Sequence, residues 1–235
     1  MRDGVVFITL LIATVCISRI ESVSFINKCK SDDSKCIKES AQAALPVFAA
    51  GLQEYGTEKL DPVTIHKIDA STPGLKFVLT DIVVKGLKDC VIKKIKRDKG
   101  KSKLFFKIMC NVEMDGTYEM KGQLLILPIE GNGPVHTKLR KLEVSVEIDL
   151  NQGDNWDILS YKHSFELKDK ADVVFENLFN GNEALAAAAR DVIANSGNEI
   201  VLEIGPPVVK SITDLVLKQI NKFFHAVPAQ ELSLD

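Results

Sequence analysis

The 235-residue chain sets thirty Lys and Arg against thirty-two Asp and Glu, a formal charge of −2, with 46% hydrophobic residues. That balance excludes a global field for nucleic acid or an anionic membrane and leaves recognition to local features. The apolar content supports a sizeable core, read here as one domain rather than two.

Residues 1–24 read as a secretory signal peptide. Arg2 precedes the thirteen-residue apolar run Val5 to Ile17, and Ser18, Ser22 and Ser24 follow, with cleavage expected after Ser22 or Ser24. The run is short for a membrane span. Cys16 departs with the signal, so the mature chain from residue 25 keeps Cys29, Cys36, Cys90 and Cys110, an even number in an oxidising compartment. Three pairings are open to four cysteines. Cys29 and Cys36 bracket only six residues, and the register argument below sets Cys90 against Cys110, so those two bridges are expected. No C-x-x-C spacing points to zinc, and no metal or cofactor is expected.

Asp32, Asp33 and Ser34 offer N-caps for a helix carrying Ile37, Ala41, Ala44, Leu45 and Phe48, with Pro46 expected to kink it. From Val63 to about Leu167 the dominant period is two, the signature of antiparallel strands with one wet face. Leu75, Phe77 and Leu79 alternate after a Pro73-Gly74 turn, and Leu142, Val144, Val146, Ile148 and Leu150 alternate with Glu143, Ser145, Glu147 and Asp149. Between them, Val91–Arg97 and Lys103–Val112 flank a turn rich in Lys, Asp and Gly. A five-residue loop over Asp98 to Ser102 sets Arg97 against Lys103, Ile92 against Ile108 and Cys90 against Cys110. Opposed Cα atoms about 4.5 to 5.5 Å apart are within a disulfide's reach. Tyr118 to Ile129 reads as a further strand ending in Pro128 and the turn Gly131-Asn132-Gly133-Pro134, followed by a long strand from Val135 to Leu150. In Trp156 to Leu167, Leu159, Tyr161, His163, Phe165 and Leu167 form a continuous, largely aromatic face opposite Ile158, Ser160 and Lys162.

Helix signals return with Asn180 and Glu183, and with Ser196 and Glu199, each spaced as a capping box. Gly205 to Phe224 then forms a long helix. Pro206 and Pro207 suit its first turn, and Val209, Ile212, Val216, Ile220 and Phe223 form one row, widened by Val208, Leu215 and Phe224. Lys210, Asp214, Lys218 and Lys222 recur as a single polar stripe. A helix so widely apolar needs a partner round most of it, and a one-faced sheet needs a cover. The expected fold is α+β, a long curved antiparallel sheet wrapped around the C-terminal helix.

The enzyme motifs are missing: there is no H-E-x-x-H, G-x-S-x-G, P-loop or G-x-G-x-x-G. His66, His136, His163 and His225 sit on separate elements with no acidic or Ser motif beside them, and turn and wet-face positions account for Asp89, Glu113, Asp115 and Glu119. No catalytic residue is assigned. What remains is apolar surplus, as in Leu124-Leu125-Ile126-Leu127, which fits either a second layer or a lined cavity.

The early Cys29…Cys36 pair, Leu60-Asp61-Pro62, Gly86-Leu87 before Cys90, the stretch Tyr118 to Gly133 (YEMKGQLLILPIEGNG) and Asn177-Leu-Phe-Asn-Gly-Asn182 occur in an order that resembles the insect takeout and juvenile hormone-binding protein family. The resemblance covers essentially the whole mature chain. The takeout branch is the better match, because the hormone carriers have a second disulfide placed later in the chain, where no Cys stands here. The resemblance implies a curved sheet enclosing the long C-terminal helix, an internal hydrophobic tunnel, a lipophilic ligand and no catalysis. Hormone carriers fix a ligand's polar end with a tyrosine hydroxyl; the corresponding strand here reads Val144-Ser-Val-Glu-Ile148.

The function expected is therefore a secreted, extracellular, monomeric carrier of a terpenoid, juvenile-hormone-like, fatty acid or isoprenoid ligand, with no nucleic-acid partner. The expected lining is Phe77, Leu79, Tyr118, Leu124, Ile126, Val144, Val146, Trp156, Tyr161, Phe165, Ile212 and Leu215. Tyr118, Tyr161 or Trp156 is expected to offer the polar contact. The alternative is a module of the same fold that docks on a membrane surface, a receptor or another acidic partner through the Lys-rich hairpin 93–103.

Overall fold

The computed structural model describes residues 23–235. The expected signal peptide, residues 1–24, lies outside the described residues except for Val23 and Ser24. In chain order the elements are α1 (Ser34–Ala49), β1 (Val63–Asp69), β2 (Leu75–Lys85), β3 (Val91–Asp98), β4 (Lys103–Leu124), β5 (Leu127–Gln152), β6 (Trp156–Leu167), β7 (Ala171–Phe175), α2 (Glu183–Asn195), α3 (Gly197–Ile204), α4 (Pro206–Ala226) and α5 (Ala229–Leu232).

The sheet is organised by the β4–β5 hairpin, whose strands run 22 and 26 residues. One edge of β4 pairs first with β3, over Lys103–Met109, and then with β2, over Glu113–Gly122. β5 does the same on its far side, pairing β7 over Val135–Leu139 and β6 from Leu142 onward. Both changes of partner fall beside a bulge, where the β4–β5 register slips between Cys110 and Val112. A bulge adds twist and bends the strand. Asn111 fills this one, its Oδ1 accepting the Lys141 N–H at 2.9 Å. Gly86 enters the same place: a Cβ there would stand 2.1 Å from the Asn111 carbonyl oxygen, and its φ is +99°.

The inner face is apolar because the strands alternate. Leu142, Val144, Val146, Ile148 and Leu150 are all buried, as are Leu75, Phe77 and Leu79. The open, seven-stranded antiparallel sheet wraps its inner face around α4. Within α4 the most deeply buried positions are Val208, Val209, Thr213, Leu217, Gln219, Phe223 and Phe224, while Ile212, Val216 and Ile220 are half-buried against the same core. Pro206 and Pro207 occupy the first turn, where no intrahelical bond is lost.

Both bridges are formed, Cys29–Cys36 and Cys90–Cys110, the latter with Cα atoms 4.3 Å apart. The hairpin carrying the second differs at its tip from the sequence reading. Asp98 faces Lys103 and Arg97 faces Leu104, so the loop holds four residues; a bulge between Ile92 and Lys94 then restores Ile92 opposite Ile108.

Further expectations are corrected. Lys103–Val112 and Tyr118–Ile129 are not separate strands: β4 runs through to Leu124, and the chain reverses at Leu125-Ile126 with Leu125 at φ +54°. Gly131-Asn132-Gly133-Pro134 is therefore strand, and its glycines serve close approach instead of a turn. A Cβ on Gly131 would meet the Tyr118 hydroxyl at 2.7 Å, and one on Gly133 the Glu176 carbonyl at 2.9 Å. In β6 a register shift at Leu159 separates it from the face of Tyr161, leaving Leu159 63% exposed and turning Ile158 inward. The cap of α2 is Asn182, whose Oδ1 accepts the Leu185 N–H, and Ser196 makes no side-chain cap for α3.

Candidate ligand-binding cavity

Between the sheet and the helices lies a cavity of about 120 Å³. β2 contributes Phe77 and Leu79, and β4 contributes Phe106, Ile108, Cys110, Val112 and Met114. From β5 come Val135, Thr137, Leu139, Leu142, Val144 and Val146, a single face read every second residue with one step of three at the bulge. The opposite wall is α3, through Ile200, Val201 and Ile204, and α4, through Val208, Val209, Ile212, Thr213, Val216 and Leu217. From Val208 to Leu217 the cavity follows α4 for about 14 Å at helical rise. Cys110, one half of the central bridge, also faces it.

The wall's chemistry is almost uniform. Its side-chain hydroxyls are Thr137 and Thr213, and Thr213 donates its own to the Val209 carbonyl at 2.8 Å, as helix-borne Thr commonly does. Among the described residues no carboxylate, amine, imidazole or thiol lines it. Such a space can desolvate a hydrocarbon, at roughly 25 cal/mol per Å².

Of the twelve lining residues expected from sequence, this cavity brings together Phe77, Leu79, Val144, Val146 and Ile212. Tyr118 is 1% exposed, packed edge-on against Phe175 at 4.9 Å, and its hydroxyl donates to the Glu176 carbonyl at 2.7 Å. Burial pushes its pKa up to about 12. Leu124 is buried at the end of the β4–β5 hairpin, while Ile126 stands 82% exposed at its tip. Tyr161 gives its hydroxyl to Asp214 on α4; burial, then that bond, raises its pKa. Phe165 and Leu215 pack half-buried against the core without reaching the cavity wall. Trp156 lies under the Arg97 guanidinium at 4.4 Å and edge-on to Phe224 at 5.3 Å. It lines a second cavity of about 150 Å³ between α1 and the end of α4.

The wall residues missed in sequence come from β4, β5, β7, α3 and α4 alike. Their 3.6 and 2.0 periods were visible, but nothing local says what faces an apolar stripe.

Away from the cavity, the expectation that histidines stand without acidic neighbours is corrected. His136 Nδ1 lies 2.8 Å from Asp115 and Nε2 3.2 Å from Glu176, and the Asp115 bond raises its pKa. His225 Nε2 lies 2.8 Å from Asp157. Both are exposed and outside the cavity. Within the Lys-rich hairpin, Lys103 reaches Asp149 at 3.3 Å and Glu147, Lys101 reaches Asp98 at 3.8 Å, and Lys94 lies over the Phe105 ring. Among the described residues no group of three or more His, Cys, Asp or Glu is arranged to hold a metal ion, and no helix is long and apolar enough to cross a membrane.

Residues 6–234 match the family described as haemolymph juvenile hormone binding protein (JHBP). The chain is similar to the crystal structure of Takeout 1 from Epiphyas postvittana, with a TM-score of 0.85 and 29% identity, over 88% of this chain and 99% of that one. It is also similar to the circadian clock-controlled protein daywake of Drosophila melanogaster, 23% identical over 226 residues, and to that of Drosophila yakuba, 21% identical over 225 residues. Each of these covers 88% of this chain and 86% of the relative.

Proposed function

This chain belongs to the haemolymph juvenile hormone binding protein family, and from that premise we propose that it is a secreted carrier of a small lipophile held in the cavity between sheet and α4. The observation that carries this reading is the cavity itself, elongated along α4 and walled by apolar side chains with two hydroxyls. A cavity of about 150 Å³ lined by Leu, Ile and Phe stays dry and binds benzene in another protein, so a void of this size and lining favours hydrocarbon over water. Its length along α4 suits a chain, such as an isoprenoid, terpenoid or fatty acyl group, better than a compact ring. Export is supported by the signal-like residues 1–24 and by two bridges that an oxidising compartment would maintain.

The test is native mass spectrometry and organic extraction of the purified mature protein, with titration of a fluorescent fatty acid and a fluorescent isoprenoid. A co-purified lipid, or probe binding below about 10 μM, equivalent to about 7 kcal/mol, is expected. Failure of every probe together with an empty extract would end the carrier reading.

A further inference from the structure

Thr137 stands out on the cavity wall by what its hydroxyl does not do. Of the two hydroxyls there, that of Thr213 is taken up by the Val209 carbonyl. Thr137 lies between Val135 and Leu139 on the inward face of β5, opposite Met114 of β4 and Val173 of β7, all of them apolar cavity residues. Its side chain is half-buried, and among the described residues its hydroxyl has no hydrogen-bond partner. Its oxygen is not sealed within the packed core, so a molecule in the cavity can reach it. Valine has nearly the same shape and fits a strand equally well, so the hydroxyl is what this residue adds to the wall.

We propose that Thr137 is the polar anchor of the cavity, so that the preferred ligand is a lipophile bearing one oxygen function along its chain and not a bare hydrocarbon. The inference rests on the carrier reading and adds orientation to it. A hydroxyl both donates and accepts, so Thr137 serves an alcohol, an ester carbonyl or a ketone alike. It offers no charge, and a free carboxylate is a poorer fit. In a site otherwise held by desolvation, one such bond fixes where along the wall the oxygen lies, and thereby the direction of the chain.

The experiment compares farnesol, farnesyl acetate and the hydrocarbon farnesene as competitors of bound N-phenyl-1-naphthylamine, on the wild-type protein, Thr137→Val and Thr137→Ser. Expected is a preference for the two oxygenated ligands over farnesene that falls about tenfold in Thr137→Val, which is about 1.4 kcal/mol, and is retained in Thr137→Ser. Thr137→Val should keep or raise the thermal midpoint, because its hydroxyl supports nothing in the protein. If all three compounds bind and their ranking is unchanged in Thr137→Val, the anchor is wrong while the carrier stands. A lowered midpoint in Thr137→Val would instead give the hydroxyl a structural role and overturn the inference. If none of the three displaces the probe from the wild-type protein, the anchor falls together with the cavity's role as their site.

Discussion

Tyr118 donates its hydroxyl to the main-chain carbonyl of Glu176 at 2.7 Å, joining the middle of β4 to the chain just beyond β7. Two of the stretches that carry the family resemblance meet there. Gly131 bridges to Leu178, and Asn177 Nδ2 donates to the Asn132 carbonyl at 2.9 Å. Tyr118 therefore closes the sheet behind the cavity, with Phe175 between the two. Replacing Tyr118 with Phe should cost about 1–2 kcal/mol in urea denaturation, by stranding a buried acceptor, and leave lipophile affinity within about twofold of wild type, a change of about 0.4 kcal/mol. A large loss of affinity with stability unchanged would return Tyr118 to the ligand site.

The same residue sets an alkaline dependence. Its folded pKa of about 12 lies above the ordinary tyrosine value of about 10. Between those values the unfolded chain has ionised and the folded protein has not, so stability is fully present below about pH 10 and declines as pH rises towards about 12. The slope approaches about 1.4 kcal/mol per pH unit. Denaturation midpoints of wild type and Tyr118→Phe should run parallel below pH 9 and converge above pH 10; curves parallel throughout would refute the assignment.

The Cys90–Cys110 bridge sits where β4 changes partner from β3 to β2, and its Cys110 half faces the cavity. Replacing both cysteines with Ala should cost about 2–4 kcal/mol, read as a shift of denaturant midpoint. Gly86→Ala should cost about 2 kcal/mol or more by another route, because its Cβ would meet the Asn111 carbonyl oxygen at 2.1 Å in a left-handed backbone conformation.

Two substitutions separate the cavity from the surface. Val144→Phe projects a larger side chain into the void and should weaken binding of a fluorescent isoprenoid at least tenfold, about 1.4 kcal/mol, while lowering stability by no more than about 1–3 kcal/mol. Ile126→Ser, at the exposed tip, should change stability by less than about 0.5 kcal/mol and leave binding as it was. A reversal of the two binding results would place the ligand elsewhere.

At the chain's other end the Asp235 carboxylate accepts from the Ser31 N–H at 3.0 Å and from the Ser31 hydroxyl. The Ser31 bonds, followed by Ser233, hold its pKa down to about 2. A depressed carboxylate gives support that is present above its ordinary value near 4 and lost as pH falls towards about 2. The Ser31 amide resonance should titrate with a midpoint near 2 in the wild type and show no such step in Asp235→Asn. A midpoint near 4 would mean that the contact is absent in solution.

Elements whose signal is local and periodic were legible in the sequence. Alternation fixed the inward set Leu142 to Leu150, the two prolines and the row from Val209 to Phe223 marked α4, and matched spacings on either side of the Lys-rich turn placed Cys90 against Cys110. That pairing survived a tip register wrong by one residue because the bulge after Ile92 cancels the error, which no local rule announces. What each apolar face meets depends instead on how distant elements pack. Period two says which side chains share a side of the sheet, but bulges at Asn111 and Leu159 change the reading midway, and their cause is the packing of distant segments. The Gly131-Asn-Gly-Pro stretch resembles a turn in composition, yet its first and third residues are glycine because the Tyr118 hydroxyl and the Glu176 carbonyl lie against them. The cavity was least legible of all. It is the volume that β2, β4, β5, β7, α3 and α4 together leave unfilled, and a shortfall shared among six elements is a property of their arrangement, carried by no stretch of sequence alone.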